Sequence, residues 1–250
     1  LNGEKIFLKG ISIHEENVMR GGRAWSIEDA KVLLGWAKEL GCNYVRLAHY
    51  PHNENMIRVA EQMGILVWEE IPVYWTIQWT NPETYKKAET QLKELISRDK
   101  NRACSIIWSM ANETPTSQER LTFLTNLATT ARKLDDTRLI SAALEDHGKK
   151  EDKNIMIVED EFAKVVDVLS FNQYYGWYGG KIDNIKNIRW EIDIDKPVII
   201  SEFGAGALQG YNADKMTRWS EEFQELLYEE TLPTLAKIPG ISGITPWTLV

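Results

Sequence analysis

Residues 105–115, SIIWSMANETP, join a strongly apolar run directly to polar residues. Residues 105–110 form a short apolar run with two isoleucines, a tryptophan and a methionine, which is typical of a fully buried strand. Asn112 and Glu113 follow directly. A carboxylate beside buried apolar residues is costly unless it has hydrogen bonds, a charged partner or water. We therefore expect this strand to form part of the wall of a polar cavity, with Asn112 and Glu113 at the mouth.

The composition is that of a globular protein large enough for one α/β barrel. The chain has 250 residues, of which 43% are hydrophobic and 26% are charged. Its net charge of -8, without a Lys/Arg-rich run, argues against nucleic acid or an anionic membrane surface as the main partner. No apolar run reaches the roughly 18 residues of a membrane span. The ten tryptophans and nine tyrosines suit stacking on sugar rings, and equally an aromatic core.

The pattern of the opening segment recurs along the chain, because short apolar runs alternate with longer segments of helical period. The eight runs are Ile6–Ile13, Tyr44–Leu47, Leu66–Glu69, Ser105–Ser109, Leu139–Ala142, Val166–Phe171, Val198–Ser201 and Gly243–Trp247. Eight strands alternating with helices predict an α/β fold of the (β/α)8 or TIM-barrel type. The rival is a doubly wound open sheet, which the lack of a G-x-G-x-x-G or P-loop motif after any run makes less favourable. The last run ends close to Val250, so we expect a barrel that lacks its final helix.

Helix signals fill most of the segments between the runs. Ser26 is an N-cap residue and Gly41 a C′ residue for a first amphipathic helix. The last long helix is predicted over residues 216–235. Residues 148–165 and 181–194 show no clear period, and their secondary structure is not predicted.

Polar residues follow nearly every predicted strand, at the end of a barrel where active sites lie. The set comprises His14, Glu15, Glu16, Arg46, His49, Tyr50, Glu69, Glu70, Asn112, Glu113, Asn172, Tyr174, Trp177, Tyr178, Glu202 and Trp247. Taken singly, the glutamates at 15, 16, 69 and 70 suit solvated loops or pairing with Arg46. A carboxylate cluster also suits a cation, but no calcium loop or H-E-x-x-H motif is present, and we expect no metal. The recurrence of polar groups favours one functional site.

Two of these glutamates match the chemistry of glycoside cleavage. That reaction needs a carboxylic acid to protonate the leaving oxygen and a carboxylate opposite it. Glu113 follows an apolar strand, where desolvation favours the neutral form. Glu202 follows the seventh strand, and we expect Tyr174 to donate a hydrogen bond to its carboxylate. Asn112 is placed to hold a sugar hydroxyl.

An aromatic loop, PVYWTIQWTNP at residues 72–82, follows the third strand. It contains Tyr74, Trp75 and Trp79. We predict that this loop borders the mouth of the site and contacts the leaving group. The alternative is that it packs against another domain.

Seven motifs, taken in order, resemble those of the catalytic (β/α)8 domain of glycoside hydrolase family 2, and they span essentially the whole chain. They are IHEE at 13–16, GRA at 22–24, RLAHYP at 46–51, MANETP at 110–115, NQYYGWY at 172–178, KPVIISEFG at 196–204 and PWTLV at 246–250. The family contains β-galactosidases, β-glucuronidases and β-mannosidases, which are retaining exo-glycosidases. In one departure, Thr114 separates Glu113 from Pro115, whereas many members have proline directly after the acid.

The resemblance implies roles for individual residues. It makes Glu113 the general acid/base and Glu202 the nucleophile. The residues that it places in the sugar subsite are His14, Glu16, Arg46, His49, Asn112, Asn172, Tyr174, Tyr178 and Trp247. It implies a carbohydrate substrate and no cofactor. The runs NQYYGWY and RWSEEFQ, at 172–178 and 218–224, are closest to β-glucuronidases, with a β-galactosidase second.

The resemblance also predicts the wider organisation. Full-length members carry β-sandwich domains before the barrel, so we expect residues 1–250 to be the catalytic barrel of a longer chain that is able to oligomerise. The Asn-x-Lys motif with which glucuronidases bind the substrate carboxylate is expected after Val250. A carbohydrate-binding barrel without turnover is the alternative from another class, and the presence of both glutamates argues against it.

Overall fold

A computed structural model describes residues 1–250 and contains a closed barrel of eight parallel strands. The strands are β1 Leu8–Ile13, β2 Tyr44–Leu47, β3 Leu66–Glu70, β4 Ser105–Asn112, β5 Leu139–Glu145, β8 Leu169–Gln173, β10 Val198–Phe203 and β11 Ile241–Ile244. Around the barrel their order is β1-β11-β10-β8-β5-β4-β3-β2. The predicted (β/α)8 architecture is therefore confirmed, and each of the eight apolar runs overlaps a barrel strand, although the last run shares only Gly243 and Ile244 with β11.

Five α-helices cover the barrel, after β1, β2, β3, β4 and β10. They are α1 Ile27–Glu39, α2 Glu54–Met63, α3 Pro82–Asp99, α4 Gln118–Leu134 and α5 Glu221–Leu235. Ser26 caps α1 in a reciprocal capping box with Asp29, as the sequence suggested for its N-cap. The last helix was predicted to start at residue 216, but α5 starts at Glu221. The Ser220 hydroxyl accepts a hydrogen bond from the Phe223 N–H and is the N-cap. Residues 245–250 form no helix.

The two segments without a clear period form a small sheet instead of α-helices. After β5 come the short strands β6 His147–Gly148 and β7 Ile155–Ile157, and a 3₁₀ helix at Glu161–Lys164. After β8 come a second 3₁₀ helix at Ile182–Asn187 and β9 Arg189–Trp190. Strands β6, β7 and β9 pair in the order β6-β7-β9 and form what we call the accessory sheet. It stands where a regular (β/α)8 barrel has helices.

The interior of the barrel contains an apolar layer and, nearer the carboxyl ends of the strands, a polar layer. A buried apolar cluster, formed by six strands or their immediate flanks, consists of Leu8, Tyr44, Trp68, Ile107, Val168 and Ile199. Gly10 lies against this layer, since a Cβ there would come within 2.4 Å of the Tyr44 ring. Nearer the carboxyl ends of the strands, Arg46 and Glu70 are fully buried inside the barrel.

Strand alternation decides which glutamate of β3 enters the barrel. Trp68 and Glu70 share one face, and the Trp68 indole N–H donates to Glu70 Oε2 at 2.9 Å. Glu69 points to the opposite face, where it accepts from the Ser105 hydroxyl at 2.6 Å. Both carboxylates are buried, so neither is the solvated loop residue that the sequence also allowed.

None of the helices is long and apolar enough to cross a membrane.

Candidate active site

The site is organised around Arg46, whose side chain is wholly buried inside the barrel. Its Nη1 donates to Glu202 Oε1 at 2.6 Å and to the Ser201 carbonyl at 3.0 Å. Its Nη2 donates to Asn112 Oδ1 at 2.8 Å and to Glu70 Oε1 at 3.1 Å. One guanidinium on β2 therefore joins side chains of β3, β4 and β10. The fixed fork of N–H donors in arginine suits such a junction.

The charges at this junction stabilise one another. Burial alone would lower the pKa of Arg46, but the carboxylates of Glu70 and Glu202 outweigh it and raise that pKa. Burial alone would raise the pKa of Glu70, but Arg46 and then His49 lower it to about 2. Both Arg46 and Glu70 are therefore charged throughout the neutral range.

Glu202 is buried at the end of β10 and accepts from donors on two sides. Tyr174 donates its hydroxyl to Glu202 Oε2 at 2.7 Å, the hydrogen bond expected from the sequence, and Arg46 holds Oε1. Burial, and then the charge of Glu202, raise the pKa of Tyr174, so its hydroxyl keeps its proton and remains a donor. A break in the β10–β8 register between Ile200 and Glu202 aims the carboxylate into the mouth.

Two asparagines connect Glu113 to the Arg46 junction. Asn172 Nδ2 donates to Glu113 Oε1 at 2.8 Å and to Asn112 Oδ1 at 3.1 Å. The Ser201 hydroxyl donates to Asn172 Oδ1 at 2.7 Å, which fixes the orientation of that amide. Asn112 Oδ1 also accepts from Arg46, so the Asn112 amide group directs its N–H donors away from the network. Asn112 and Asn172 therefore face the same site as both glutamates.

Glu113 occupies a strained backbone position. Its φ of 47° lies in the left-handed region, where a non-glycine residue costs about 1–3 kcal/mol. The Glu113 N–H donates to the Ala143 carbonyl of β5 at 2.9 Å, which helps to hold this conformation. Its carboxylate is half-buried and accepts from the Trp75 indole N–H at 3.2 Å. Strain of this kind typically persists at functional sites, where the surrounding structure enforces it.

The aromatic loop after β3 divides between the site and the core. Trp75 contacts Glu113, and the Tyr74 ring lies 5.9 Å from the ring of His49. Trp79 does not border the mouth, because its half-buried ring packs edge-on against Phe123 at 5.3 Å, at the margin of the core between α3 and α4. The prediction for this loop is therefore wrong for Trp79. Phe123 on α4 offers an apolar partner, and the Trp79 ring packs there instead of at the site.

Three rings line another wall of the site. His49 stacks on Trp247 at 4.9 Å and donates from Nδ1 to Glu70 Oε1 at 2.8 Å. His14 meets the edge of Trp247 at 5.1 Å, and its Nδ1 lies 3.1 Å from the Tyr50 hydroxyl. Burial, and then the neighbouring His49, lower the pKa of His14, so it is neutral at pH 7.

Two of the predicted subsite residues lie further out. Tyr178 is 78% exposed and touches the site through the edge of Tyr174, with the ring centroids 4.9 Å apart. Glu16 is exposed, makes no side-chain hydrogen bond and lines a different cavity, of about 1140 Å³, beside α3. Its neighbour Glu15 is buried and pairs with Arg23.

Sequence reasoning missed Ser201 and gave no individual role to Glu70, one of the polar strand-end residues, or to Trp75, part of the aromatic loop predicted at the mouth. Glu70 lies two residues after Trp68 on β3, so the alternation of a strand predicts that both side chains point into the barrel. Ser201 precedes Glu202 directly, but no sequence signal shows that its hydroxyl orients an asparagine. No three His, Cys, Asp or Glu side chains converge as metal ligands would.

The chain belongs to the family described as glycosyl hydrolases family 2, and residues 1–232 match the model of its TIM barrel domain. It is 32% identical over 273 aligned positions to a protein from Paenibacillus borealis named beta-glucuronidase. That alignment covers 99% of this chain and 43% of the relative. The chain thus spans less than half the length of this relative.

Solved structures give the same result. A β-glucuronidase from Ruminococcus gnavus, in complex with D-glucaro-δ-lactam, superposes with a TM-score of 0.85 at 25% identity. It covers 99% of this chain, and 44% of the R. gnavus chain is matched. A β-galacturonidase of the same family from Eisenbergiella tayi, bound to galacturonate, gives a TM-score of 0.84 at 27% identity, with 99% and 44% covered.

The junction at Arg46 makes a first prediction. Removing one partner of a buried ion pair leaves an uncompensated charge, so we expect Arg46→Met to lower the free energy of unfolding by about 3–5 kcal/mol. Arg46→Lys keeps the charge, but one ammonium cannot reach Glu70, Glu202 and Asn112 together, so part of the loss remains. Urea unfolding at pH 7 measures the unfolding free energy of both variants.

Arg58 supplies the matched control for that experiment. It pairs with Glu54 on the exposed face of α2 at 2.9 Å, and Arg58→Met should change the unfolding free energy by about 0.5 kcal/mol or less. Equal, small effects at Arg46 and Arg58 would contradict the central place given to Arg46.

Proposed function

We propose that this barrel is the catalytic domain of a retaining β-glycosidase, most closely a β-glucuronidase, in which Glu113 is the general acid/base and Glu202 the nucleophile. One observation carries the proposal. Two glutamates at the mouth of one barrel have different surroundings, since Glu202 is buried between Arg46 and Tyr174, whereas Glu113 is half-buried under Trp75. A retaining glycosidase needs two carboxyl groups in different roles.

In the first step Glu113 gives its proton to the glycosidic oxygen while the bond from that oxygen to the anomeric carbon breaks. Glu202 forms a bond to the same carbon, which leaves a glycosyl ester. Arg46 and Tyr174 each donate to one oxygen of Glu202, so they stabilise its negative charge and fix its direction of attack. The Trp75 and Asn172 donors hold the Glu113 carboxyl group in place.

In the second step Glu113 takes a proton from water. The water oxygen bonds to the anomeric carbon, and the ester bond to Glu202 breaks. Asn112 suits the sugar hydroxyl next to that carbon, because its Oδ1 is bound by Arg46 and Asn172 and its N–H donors are not used by the network. His49, stacked on Trp247, suits the wall against which the sugar lies.

The proposal of a uronic acid substrate is supported by the names of the relatives, which include two uronidase types. The carboxylate of such a sugar requires donors. Arg46 is the only arginine or lysine among the predicted site residues, and it already binds Glu70, Glu202 and Asn112. The substrate carboxylate must therefore be bound by donors other than Arg46. A neutral sugar needs no cation, and this keeps a β-galactosidase as the second candidate.

A panel of 4-nitrophenyl β-glycosides, assayed on the full-length protein, tests the substrate. We expect the glucuronide to give the highest kcat/KM, with the galacturonide, galactoside and mannoside below it. A preference for the galactoside would replace the first candidate by the second. Binding of sugars without release of nitrophenol from any member would support a carbohydrate-binding barrel and contradict the proposal.

The role of Glu113 makes a separate prediction. Glu113→Gln keeps the shape of the side chain but has no acidic proton. We expect kcat/KM to fall by about 10²–10⁴-fold on alkyl glycosides, whose leaving groups need protonation. Dinitrophenolate leaves without a proton, so kcat/KM on dinitrophenyl glycosides should fall much less. The comparison uses kcat/KM because this quantity reports the first step and not the second, in which Glu113 acts as the base.

Glu119→Gln, on the exposed first turn of α4, is the control and should leave both rates unchanged. Equal losses on the two substrate classes in Glu113→Gln would exclude Glu113 as the acid.

A further inference from the structure

A buried arginine of α4, Arg120, is bonded to the segment that follows the candidate acid and stands outside the Arg46 junction. Its Nε donates to the Thr114 hydroxyl at 2.9 Å, and its Nη1 donates to Asp160 Oδ1 at 2.6 Å. Thr114 directly follows Glu113 in the chain. Arg120 therefore ties the first turn of α4 to the residue beside the candidate acid.

Local structure does not account for an arginine at this position. A cation in the first turn of α4 faces the positive end of the helix macrodipole, which is unfavourable. The Ser117 hydroxyl accepts from the backbone N–H of Arg120 at 3.1 Å, so the cap needs no particular side chain there. The Arg120 Nη2 is enclosed and makes no hydrogen bond, which is a further cost. A buried ion pair is often no more stabilising than well-packed apolar side chains of the same volume. The reason for the arginine lies in the groups that its guanidinium holds.

Asp160 fixes this guanidinium from the other side. The two side chains are almost completely enclosed, at 1% and 6% exposure. Asp160 Oδ1 also accepts from the Phe162 N–H at 2.8 Å and caps the 3₁₀ helix at Glu161–Lys164. The guanidinium carbon of Arg120 lies 5.7 Å from the centroid of the Phe162 ring. A planar guanidinium has fixed donor directions, so these contacts also fix where its Nε–H points.

The backbone next to Thr114 is the strained position of Glu113, with its φ of 47°. On the N-terminal side of this strain, the Glu113 N–H donates to the Ala143 carbonyl at 2.9 Å. On the C-terminal side, residues 114–116 belong to no helix or strand, so no regular hydrogen-bond pattern holds them. The buried Thr114 side chain, bonded to Arg120, fixes the chain there. The conformation of Glu113 is thus held from both sides.

The position of Glu113 matters because proton transfer depends on distance and direction. A displacement of about 1 Å can cost about 10²-fold in rate. The Trp75 and Asn172 donors orient the Glu113 carboxyl group, but only where the backbone brings that group to them. A shift of the backbone at residues 113 and 114 would move the whole side chain relative to these donors.

We propose that Arg120 is a positioning residue for the acid/base. Through the Thr114 hydroxyl it fixes the backbone of Glu113, and in this way it aims the carboxyl group at the glycosidic oxygen. The proton comes from Glu113 alone, whereas Arg120 and Thr114 set the position from which it leaves. The inference rests on the proposed function, because it requires Glu113 to protonate that oxygen.

Thr114→Val in the full-length protein tests this role. Valine keeps the β-branched shape but lacks the hydroxyl, so the Arg120 Nε loses its acceptor. The two substrates are an alkyl glycoside and a dinitrophenyl glycoside of the sugar preferred in the panel. We expect kcat/KM to fall about tenfold more on the alkyl glycoside, because a displaced acid slows only the leaving group that needs a proton. A loss of folded protein would lower both values by the same factor.

Two further variants isolate the hydrogen bond. Thr114→Ser keeps the hydroxyl and should keep the wild-type ratio of the two kcat/KM values. Arg120→Lys keeps the charge opposite Asp160 but carries a methylene in place of the Nε–H. It should change the ratio in the same direction as Thr114→Val, and it covers the case in which Thr114→Val does not fold.

Arg132, in the last turn of α4, provides the matched control. It donates to both carboxylate oxygens of Asp167 at 2.9 Å. Arg132→Met removes this ion pair at the opposite end of the same helix, so it should leave the ratio of the two kcat/KM values unchanged.

An unchanged ratio in Thr114→Val, or in Arg120→Lys if only that variant folds, would overturn the inference and leave the proposed function intact. The role of Glu113 itself is decided separately by Glu113→Gln. If that variant lost activity equally on both substrates, Glu113 would not be the acid, and the inference would fail with it.

Discussion

A guanidinium held between two carboxylates inside the barrel is the interaction on which the site depends. Moving a charged group out of water costs several kcal/mol, and Arg46 and Glu70 are both completely enclosed. The cost is offset only while Glu70, Glu202 and Asn112 all stand within hydrogen-bond distance of Arg46. Those residues come from β3, β10 and β4, so the register of half the barrel is tied to this one side chain. The same contacts that make the buried charge tolerable also aim Glu202 into the mouth.

The site around that junction is built from positions where the regular barrel is broken. The register shifts next to Glu202 on β10 and between Ser109 and Asn112 on β4. Glu113 adopts a left-handed backbone conformation immediately afterwards. Bulges re-aim side chains, and a strained residue persists only when its surroundings enforce it. The two candidate catalytic glutamates therefore both stand at irregularities of their strands.

The sequence predicts the barrel well because buried parallel strands are continuous apolar runs, and all eight were visible as such. It does not predict the accessory sheet, since strands of two or three residues such as β6 and β9 are too short to show a period. Glu113, Glu202 and the Tyr174 hydrogen bond were accessible from motifs and strand ends. The contact of Trp75 with Glu113 was not, because both residues have positive φ, at 54° and 47°, and the direction of their side chains follows from that backbone. Trp79 was misplaced because an aromatic residue in a loop suits a site and a core equally well.

In the proposed mechanism Glu202 becomes covalently bonded to the sugar while Glu113 does not. A 2-deoxy-2-fluoro glycoside with a good leaving group slows the second step more than the first, so the glycosyl ester accumulates. Mass spectrometry of the treated full-length protein, followed by peptide mapping, locates the added mass. We predict one sugar per chain, on the peptide that contains KPVIISEFG, at Glu202. A label on Glu113, Glu70 or Glu145, or hydrolysis of the reagent without any covalent adduct, would contradict it.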